Sequence, residues 1–127
     1  MALLEQAKAF CPQVTDAASW QTNRTYRYGW SLFAAGFYWE AHEVWEAVWL
    51  ASRSNSLEQL FLKTAIQTAN ACLKQDMGKD KAARRLFEEI AGLLAELKIA
   101  LGQHPQNYMG VDLEAFAAKI GIAQSNK

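Results

Sequence analysis

Proline, cysteine and histidine are scarce in this chain of 127 residues, with two of each. Proline interrupts helices, so its scarcity leaves room for long ones, and Pro12 and Pro105 each predict a break. Cys11 and Cys72 lie far apart and show no metal-ligand spacing, so the cysteines predict no metal site. Cys72 falls on the apolar side of a predicted helix, where a cysteine usually behaves as a small buried hydrophobe.

An excess of one charge and long apolar runs are also missing. Lys and Arg together number 13, as do Asp and Glu. This balance argues against the basic surface of a nucleic-acid partner and mildly favours self-association. No apolar run approaches the ~20 residues that span a membrane, and residues 1–10 carry Glu5, Gln6 and Lys8 where a signal peptide would be apolar. We therefore expect a cytoplasmic protein without a membrane partner.

Helical periodicity dominates what the chain does contain, and no segment shows sustained strand alternation. The pattern predicts an all-α fold, a compact antiparallel bundle of about four main helices with short terminal helices, forming one domain over residues 1–127. The predicted helices cover residues 2–10, 22–35, 37–51, 56–76 and 80–101, and a last helix follows a loop over 103–111.

Several residues predict where these helices begin and end. Gly36 suits the left-handed position after a helix C-terminus, and Gly78 ends a later helix. The sequence Ser56-Leu57-Glu58-Gln59 has the form of a capping box. Asp112 can cap the last helix, whose apolar positions are Leu113, Phe116 and Ile120.

Apolar spacing predicts the core faces of these helices. On the first long helix the predicted face comprises Tyr26, Trp30, Phe33 and Phe37. On the helix that begins near Ser56, the residues predicted to point inward are Leu60, Ala65, Ile66, Ala69, Cys72 and Leu73. The next helix carries the stripe Ala83, Leu86, Phe87, Ile90, Leu94, Leu97 and Leu101.

Residues 36–49 are the most informative segment, and we call them the acidic–aromatic segment. Glu40, Glu43 and Glu46 alternate there with one histidine, His42, and with three tryptophans. Carboxylates are costly to bury without partners, and tryptophans are rarely left in water. A polar pocket rimmed by aromatic rings would reconcile the two. Its predicted lining residues are Tyr38, His42, Glu43, Trp45, Glu46, Trp49, Gln67 and Asn70.

Helix geometry relates the polar residues of this segment. His42 and Glu46 are four residues apart and can contact one ligand or each other. Glu43 and Glu46 are three apart and can also converge. Glu40 points about 160° away from His42 on a helical wheel, so the two cannot share a small ligand.

Three interpretations of the segment remain open. His42 and Glu46 can be structural, with the imidazole packed on Trp45 and Trp49. They can instead orient a small molecule or a peptide in a pocket with aromatic walls. They can also ligate a divalent metal in a hydrolase or a redox protein, with His42 and Glu46 or Glu43 as ligands.

The metal interpretation departs from two familiar spacings. The Glu-x-x-His pair of di-iron bundles would need a glutamate at position 39, which is Trp39. The His-Glu-x-x-His helix of zinc proteases would need a second histidine at position 46, which is Glu46. The only other histidine is His104, so carboxylates from other helices would be required. No nucleophile motif is present, and no catalytic residue is assigned.

Two other features bear on function. Lys63, Gln67, Asn70 and Lys74 form one stripe, which is either a solvated face or, through Gln67 and Asn70, the completion of the polar pocket. Trp39 and Leu50 fall on the acidic side of their helix. They need cover from another helix or from a second subunit, which favours a homodimer.

The acidic–aromatic segment also resembles the signature of the bacterial and archaeal "domain of unknown function 309" family, in which Glu-Ala-His-Glu is flanked by aromatic residues. Residues 62–71, 82–87 and 110–113 are similar to other parts of that family, and the resemblance covers roughly residues 28–120. It implies a small all-helical bundle and assigns no activity, cofactor or residue roles.

Together these observations predict a binding module for a small polar ligand or a protein partner, with no cofactor. The alternatives are a metal-dependent hydrolase and a purely structural or interaction module that dimerises.

Overall fold

The computed structural model describes residues 20–102 and 107–125, which form a helical bundle. A short 3-10 turn, Trp20–Thr22, precedes the first helix. The elements that follow are α1 (Arg24–Ala34), α2 (Tyr38–Ala51), α3 (Leu57–Asp76), α4 (Asp80–Leu101), β1 (Asn107–Tyr108), β2 (Val111–Asp112) and α5 (Leu113–Ser125). Helices α1 to α4 pack on one another in chain order, and α5 packs on α4. The predicted all-α bundle is confirmed.

The predicted helix ends are confirmed by their hydrogen bonds. Gly36 has φ +86°, and the backbone N–H of Phe37 reaches back to Leu32 O at 2.9 Å, which closes the last turn of α1. Ser56 Oγ accepts the N–H of Gln59 at 3.1 Å and begins α3. Asp112 Oδ1 accepts two backbone N–H groups of the next turn, at 3.0 and 3.1 Å, and begins α5.

Helix α1 is shorter than predicted at its start, because Asn23 acts as its N-cap. The Asn23 side chain accepts the N–H of Tyr26 at 2.9 Å while its own backbone is extended. Thr22 therefore lies outside the helix. The sequence offers both a threonine and an asparagine at this point, and only one of them takes the capping position.

The predicted loop over 103–111 is wrong for its described part, because residues 107–112 form an antiparallel hairpin. Tyr108 pairs with Val111 across the turn. The two turn residues, Met109 and Gly110, have φ of +49° and +83°, as a two-residue hairpin turn requires. Each strand has two residues, which is too short for an alternating pattern to appear in the sequence.

The core lies between the helices in two adjoining clusters. One joins α1, α2 and α3 with the hairpin, and its fully buried large side chains include Tyr26, Trp45, Phe61 and Leu62. The other joins α4 to α3 and α5. Most of the predicted stripe of α4 is confirmed, since Ala83, Phe87, Ile90, Leu94 and Leu97 are all buried. The other two members, Leu86 and Leu101, are only partly buried.

Two predictions about core faces need correction. Phe37 was placed on the face of Tyr26, but its side chain is 54 % exposed, because α1 ends at Ala34 and the left-handed Gly36 redirects the chain. On α3 the sequence pattern missed Phe61 and Leu62, which are fully buried. Four residues predicted inward are only partly buried, namely Leu60, Ile66, Cys72 and Leu73.

Some predictions concern other parts of the chain. The helix over 2–10, together with Cys11, Pro12, His104 and Pro105, lies outside the described residues, as does the side chain of Ile120. Among the helices within 20–102 and 107–125, none combines the length and apolar character that crossing a membrane requires.

Candidate functional site

The acidic–aromatic segment is anchored through Trp45, which is fully buried between α1 and α2. Its indole Nε1 donates a hydrogen bond to the backbone carbonyl of Tyr26 at 3.2 Å. Gly29 lies directly against the indole ring, where a Cβ would overlap it. The absence of a side chain at Gly29 therefore lets the tryptophan reach the α1 backbone, and this contact sets how α2 lies on α1.

Aromatic rings from several elements meet around Trp30. Its ring centroid lies 4.6 Å from that of Trp45, 5.7 Å from Phe33 and 6.2 Å from Phe116, all in edge-to-face arrangements. Phe33 in turn contacts Tyr38 at 5.3 Å, at the start of α2. Such pairs are favoured by the aromatic quadrupole and hold the rings in fixed orientations.

The polar groups of the segment lie at the edge of this aromatic face of α2, where His42 is three residues from Trp45. His42 Nε2 lies 3.3 Å from Glu46 Oε2, and His42 Nδ1 lies 3.5 Å from Glu43 Oε2. The side chains of His42, Glu43 and Glu46 are 20 %, 25 % and 50 % exposed, respectively. The imidazole thus lies between two carboxylates at the edge of the bundle and is partly exposed to solvent.

These three side chains can present one ligand atom each within 4.8 Å of one another. Within the described residues no other group of His, Cys, Asp and Glu side chains converges in this way. His42 Nδ1 is buried and makes no hydrogen bond within the described residues, although Glu43 Oε2 lies 3.5 Å from it. The more accessible nitrogen, Nε2, faces Glu46, so these two groups are best placed to share a ligand.

The remaining residues predicted for one pocket are distributed elsewhere. Trp49 packs partly buried against the core. Gln67 Nε2 donates to Glu89 on α4 at 3.2 Å, and Asn70 Nδ2 donates to Gln67 Oε1 at 3.0 Å. The hydrogen bonds of Gln67 and Asn70 therefore run toward α4. Trp39 and Leu50, for which the sequence predicts cover, are 47 % and 71 % exposed in the single chain.

A separate cavity of about 780 Å³ lies between α1, the start of α2, α3, α4, the hairpin and α5. Of the predicted pocket residues only Tyr38 lines it, and His42, Glu43 and Glu46 do not. Its lining includes Trp30, whose aromatic face the sequence pattern assigned to the core. The sequence does not indicate that the aromatic face of α1 also lines a cavity, because the cavity forms between elements that are far apart in the chain.

Two ionisable groups of the cavity lining are held in their neutral forms. Burial raises the pKa of the Cys72 thiol from 9.0 to about 11, and the nearby Asp76 adds to the shift. Burial also raises the pKa of the Tyr38 phenol above its usual value, with smaller contributions from Cys72 and Asp76. Both groups are therefore uncharged at neutral pH.

The fold and the site together define a small all-helical protein that carries a His–Glu cluster on its second helix. The model of one family, "Domain of unknown function (DUF309)", matches residues 26–86. This segment belongs to the DUF309 family, which confirms the predicted resemblance. The match includes the whole acidic–aromatic segment, and the similarity expected over 110–113 lies beyond it. Comparisons with curated proteins and with solved structures give no match.

Proposed function

We propose that the protein is a binding module that holds a divalent cation on the outer side of α2, with His42 Nε2 and Glu46 as its principal ligands. The observation that carries the proposal is the convergence of an imidazole and two carboxylates within 4.8 Å. Imidazole and carboxylate groups are ligands that zinc, manganese and iron accept in proteins.

Glu43 has two compatible roles in such a site. Its carboxylate can serve as a third ligand. It can instead accept a hydrogen bond from His42 Nδ1–H, from which it now lies 3.5 Å away. In that second arrangement Glu43 fixes the imidazole tautomer and leaves the Nε2 lone pair free for the cation. Either way the protein supplies two or three ligands, and water fills the remaining positions on the exposed side.

The charge of the cluster favours the same class of ligand. With a neutral imidazole, Glu43 and Glu46 bring two negative charges to one helical turn. A bound cation would relieve the repulsion between the two carboxylates. Binding to the folded state alone would also stabilise it, by an amount that grows with the logarithm of the free cation concentration above the Kd.

The proposal is limited to binding. The hydrolase predicted as an alternative from the sequence would activate water on the same cation, and it stays a prediction. The same holds for the purely structural interpretation, for a homodimer and for a cytoplasmic location.

The test is elemental analysis together with calorimetric titration of the metal-free protein with Zn²⁺ and Mn²⁺. We expect one cation per chain in the wild type and at least a tenfold weaker affinity in His42→Ala and Glu46→Gln, the usual effect of losing a ligand interaction. Glu40→Gln is the matched control, since Glu40 lies on the same helix but outside the cluster. A wild-type protein that binds neither ion, or that binds as well without His42, would refute the proposal.

A further inference from the structure

The cavity beside the aromatic rings is a second site, independent of the proposed cation site. Its volume of about 780 Å³ falls within the range of small-molecule pockets, roughly 300–1,000 Å³. It is lined by parts of the chain as distant as Trp20 and Lys119 and is partly open to solvent.

Its walls are aromatic and already ordered. Trp30, Phe33 and Phe116 line the cavity, and their mutual edge-to-face contacts of 5.7 and 6.2 Å hold the rings in place. Rings fixed by their neighbours offer flat apolar contact area at little cost in side-chain entropy. They suit a ligand that has rings of its own.

Three polar side chains of the cavity lining, Cys72, Tyr38 and Thr68, carry no charge. Cys72 and Tyr38 are neutral at pH 7, since the ordinary pKa values of a thiol and a phenol lie above 7 and burial raises both further. The Thr68 hydroxyl, also in the lining, donates its hydrogen bond to Thr64 O within α3 at 2.8 Å. The ligand therefore meets neutral walls wherever it is fully enclosed.

The charges at the cavity edge are predominantly positive. Arg27 and Lys119 both line it and both are exposed. Among residues 20–102 and 107–125 no carboxylate forms an ion pair with either of them. Arg27 Nη1 donates to the carbonyl of Gln21 at 3.3 Å. Asp112, the acidic residue of the lining, is exposed and accepts the two capping N–H groups of α5. The helix N-terminus partly offsets its charge, and the two cations outnumber it in the lining.

We propose that this cavity binds a ring-bearing organic anion, such as an aromatic carboxylate. The rings pack against Trp30, Phe33 and Phe116, and the anionic group is paired with Arg27 and Lys119 at the rim. Size, wall chemistry and rim charge each support the same class of ligand. This proposal is independent of the proposed cation binding, because the cation site and the cavity lining share no residue.

Two fluorescent dyes that differ in one group provide the test. The probe is 8-anilinonaphthalene-1-sulfonate, an aromatic anion, and the comparison is N-phenyl-1-naphthylamine, which has the same rings without the sulfonate. We expect one sulfonated dye per full-length chain, with energy transfer from tryptophan, and an affinity at least fivefold above that of the neutral dye. That ratio corresponds to one or two solvent-exposed charge contacts.

Variants then locate the binding. Arg27→Gln with Lys119→Gln should weaken the sulfonated dye about fivefold or more and leave the neutral dye unchanged. The control pair Arg84→Gln with Arg85→Gln removes the same charge from exposed positions outside the lining and should change neither. Ala115→Trp and, as a second filling variant, Ala34→Trp introduce bulk at exposed lining positions and should weaken both dyes.

Circular dichroism of each variant shows whether it is folded. The double variant Trp39→Gln with Leu50→Gln tests whether the dyes bind instead to the exposed apolar residues of α2. Dye binding that survives both filling variants, or that is lost only with Trp39 and Leu50, would overturn the proposal. Equal affinity for the two dyes would overturn its anionic part.

Discussion

The indole of Trp45 lies directly on the backbone of Gly29, and the two helices that carry them meet at this contact. The tryptophan is the largest fully buried side chain of the bundle. It occupies the space that any other residue at position 29 would fill, and this pairing places the outer face of α2, with His42 and Glu46, at the bundle surface.

Gly29→Ala should destabilise the protein by about 1–3 kcal/mol, the usual cost of overpacking a core. Urea unfolding measures the change. Gly92→Ala is the matched control, because Gly92 is also inside a helix but has open space around it. That substitution should stabilise by about 0.5–1 kcal/mol, the difference in helix propensity. Equal effects of the two substitutions would contradict the contact.

Tyr26→Phe should cost about 1–3 kcal/mol. The Tyr26 hydroxyl donates to the carbonyl of Met109 at 2.6 Å, and its loss leaves a buried carbonyl without that partner. Tyr28→Phe removes a hydroxyl from a partly buried position two residues away and should stay within about 0.5 kcal/mol. The readout is again urea unfolding. If only Tyr28→Phe lowered the free energy of unfolding, the hydrogen bond from Tyr26 to Met109 would not be what stabilises the hairpin.

Cys72 should react slowly with thiol reagents at neutral pH. Its pKa of about 11 lies above the ordinary value, so the reactive thiolate is a minor species until the pH approaches that value. In a Cys11→Ser background, the alkylation rate by iodoacetamide at pH 8 should be about 100-fold below that of a free thiol of pKa 9.0, from the two-unit difference in thiolate fraction. A rate that levels off below pH 9 would contradict the raised pKa.

Self-association should depend on Trp39 and Leu50. Both are exposed, and the sequence predicts that a second subunit covers them. Sedimentation equilibrium should show a dimer at micromolar concentration that Trp39→Glu with Leu50→Glu converts to a monomer, while Ile99→Glu, at an exposed position on α4, leaves it intact. A wild-type monomer across that range would rule out the dimer.

Short-range signals in the sequence were sufficient to predict several of the helix ends. Ser56, Asp112 and Gly36 act as predicted because a cap or a left-handed turn is made by residues within a few positions of each other. The regular stripe of α4 also reports its buried face directly. The hairpin escaped prediction because its two-residue strands are stabilised by the turn and by the contact of Tyr26 with Met109, far apart in the chain.

The candidate site divides in the same way. The approach of His42 to Glu46 follows from their spacing on one helix, so the sequence by itself determined it. Only the tertiary structure decided that Gln67 is hydrogen-bonded to Glu89 on α4 and that a cavity opens beside Trp30. The physical reason is that periodicity gives the face on which a residue lies within its own helix. What that face meets depends on how whole helices pack, and here this depends on contacts such as that of Trp45 with Gly29.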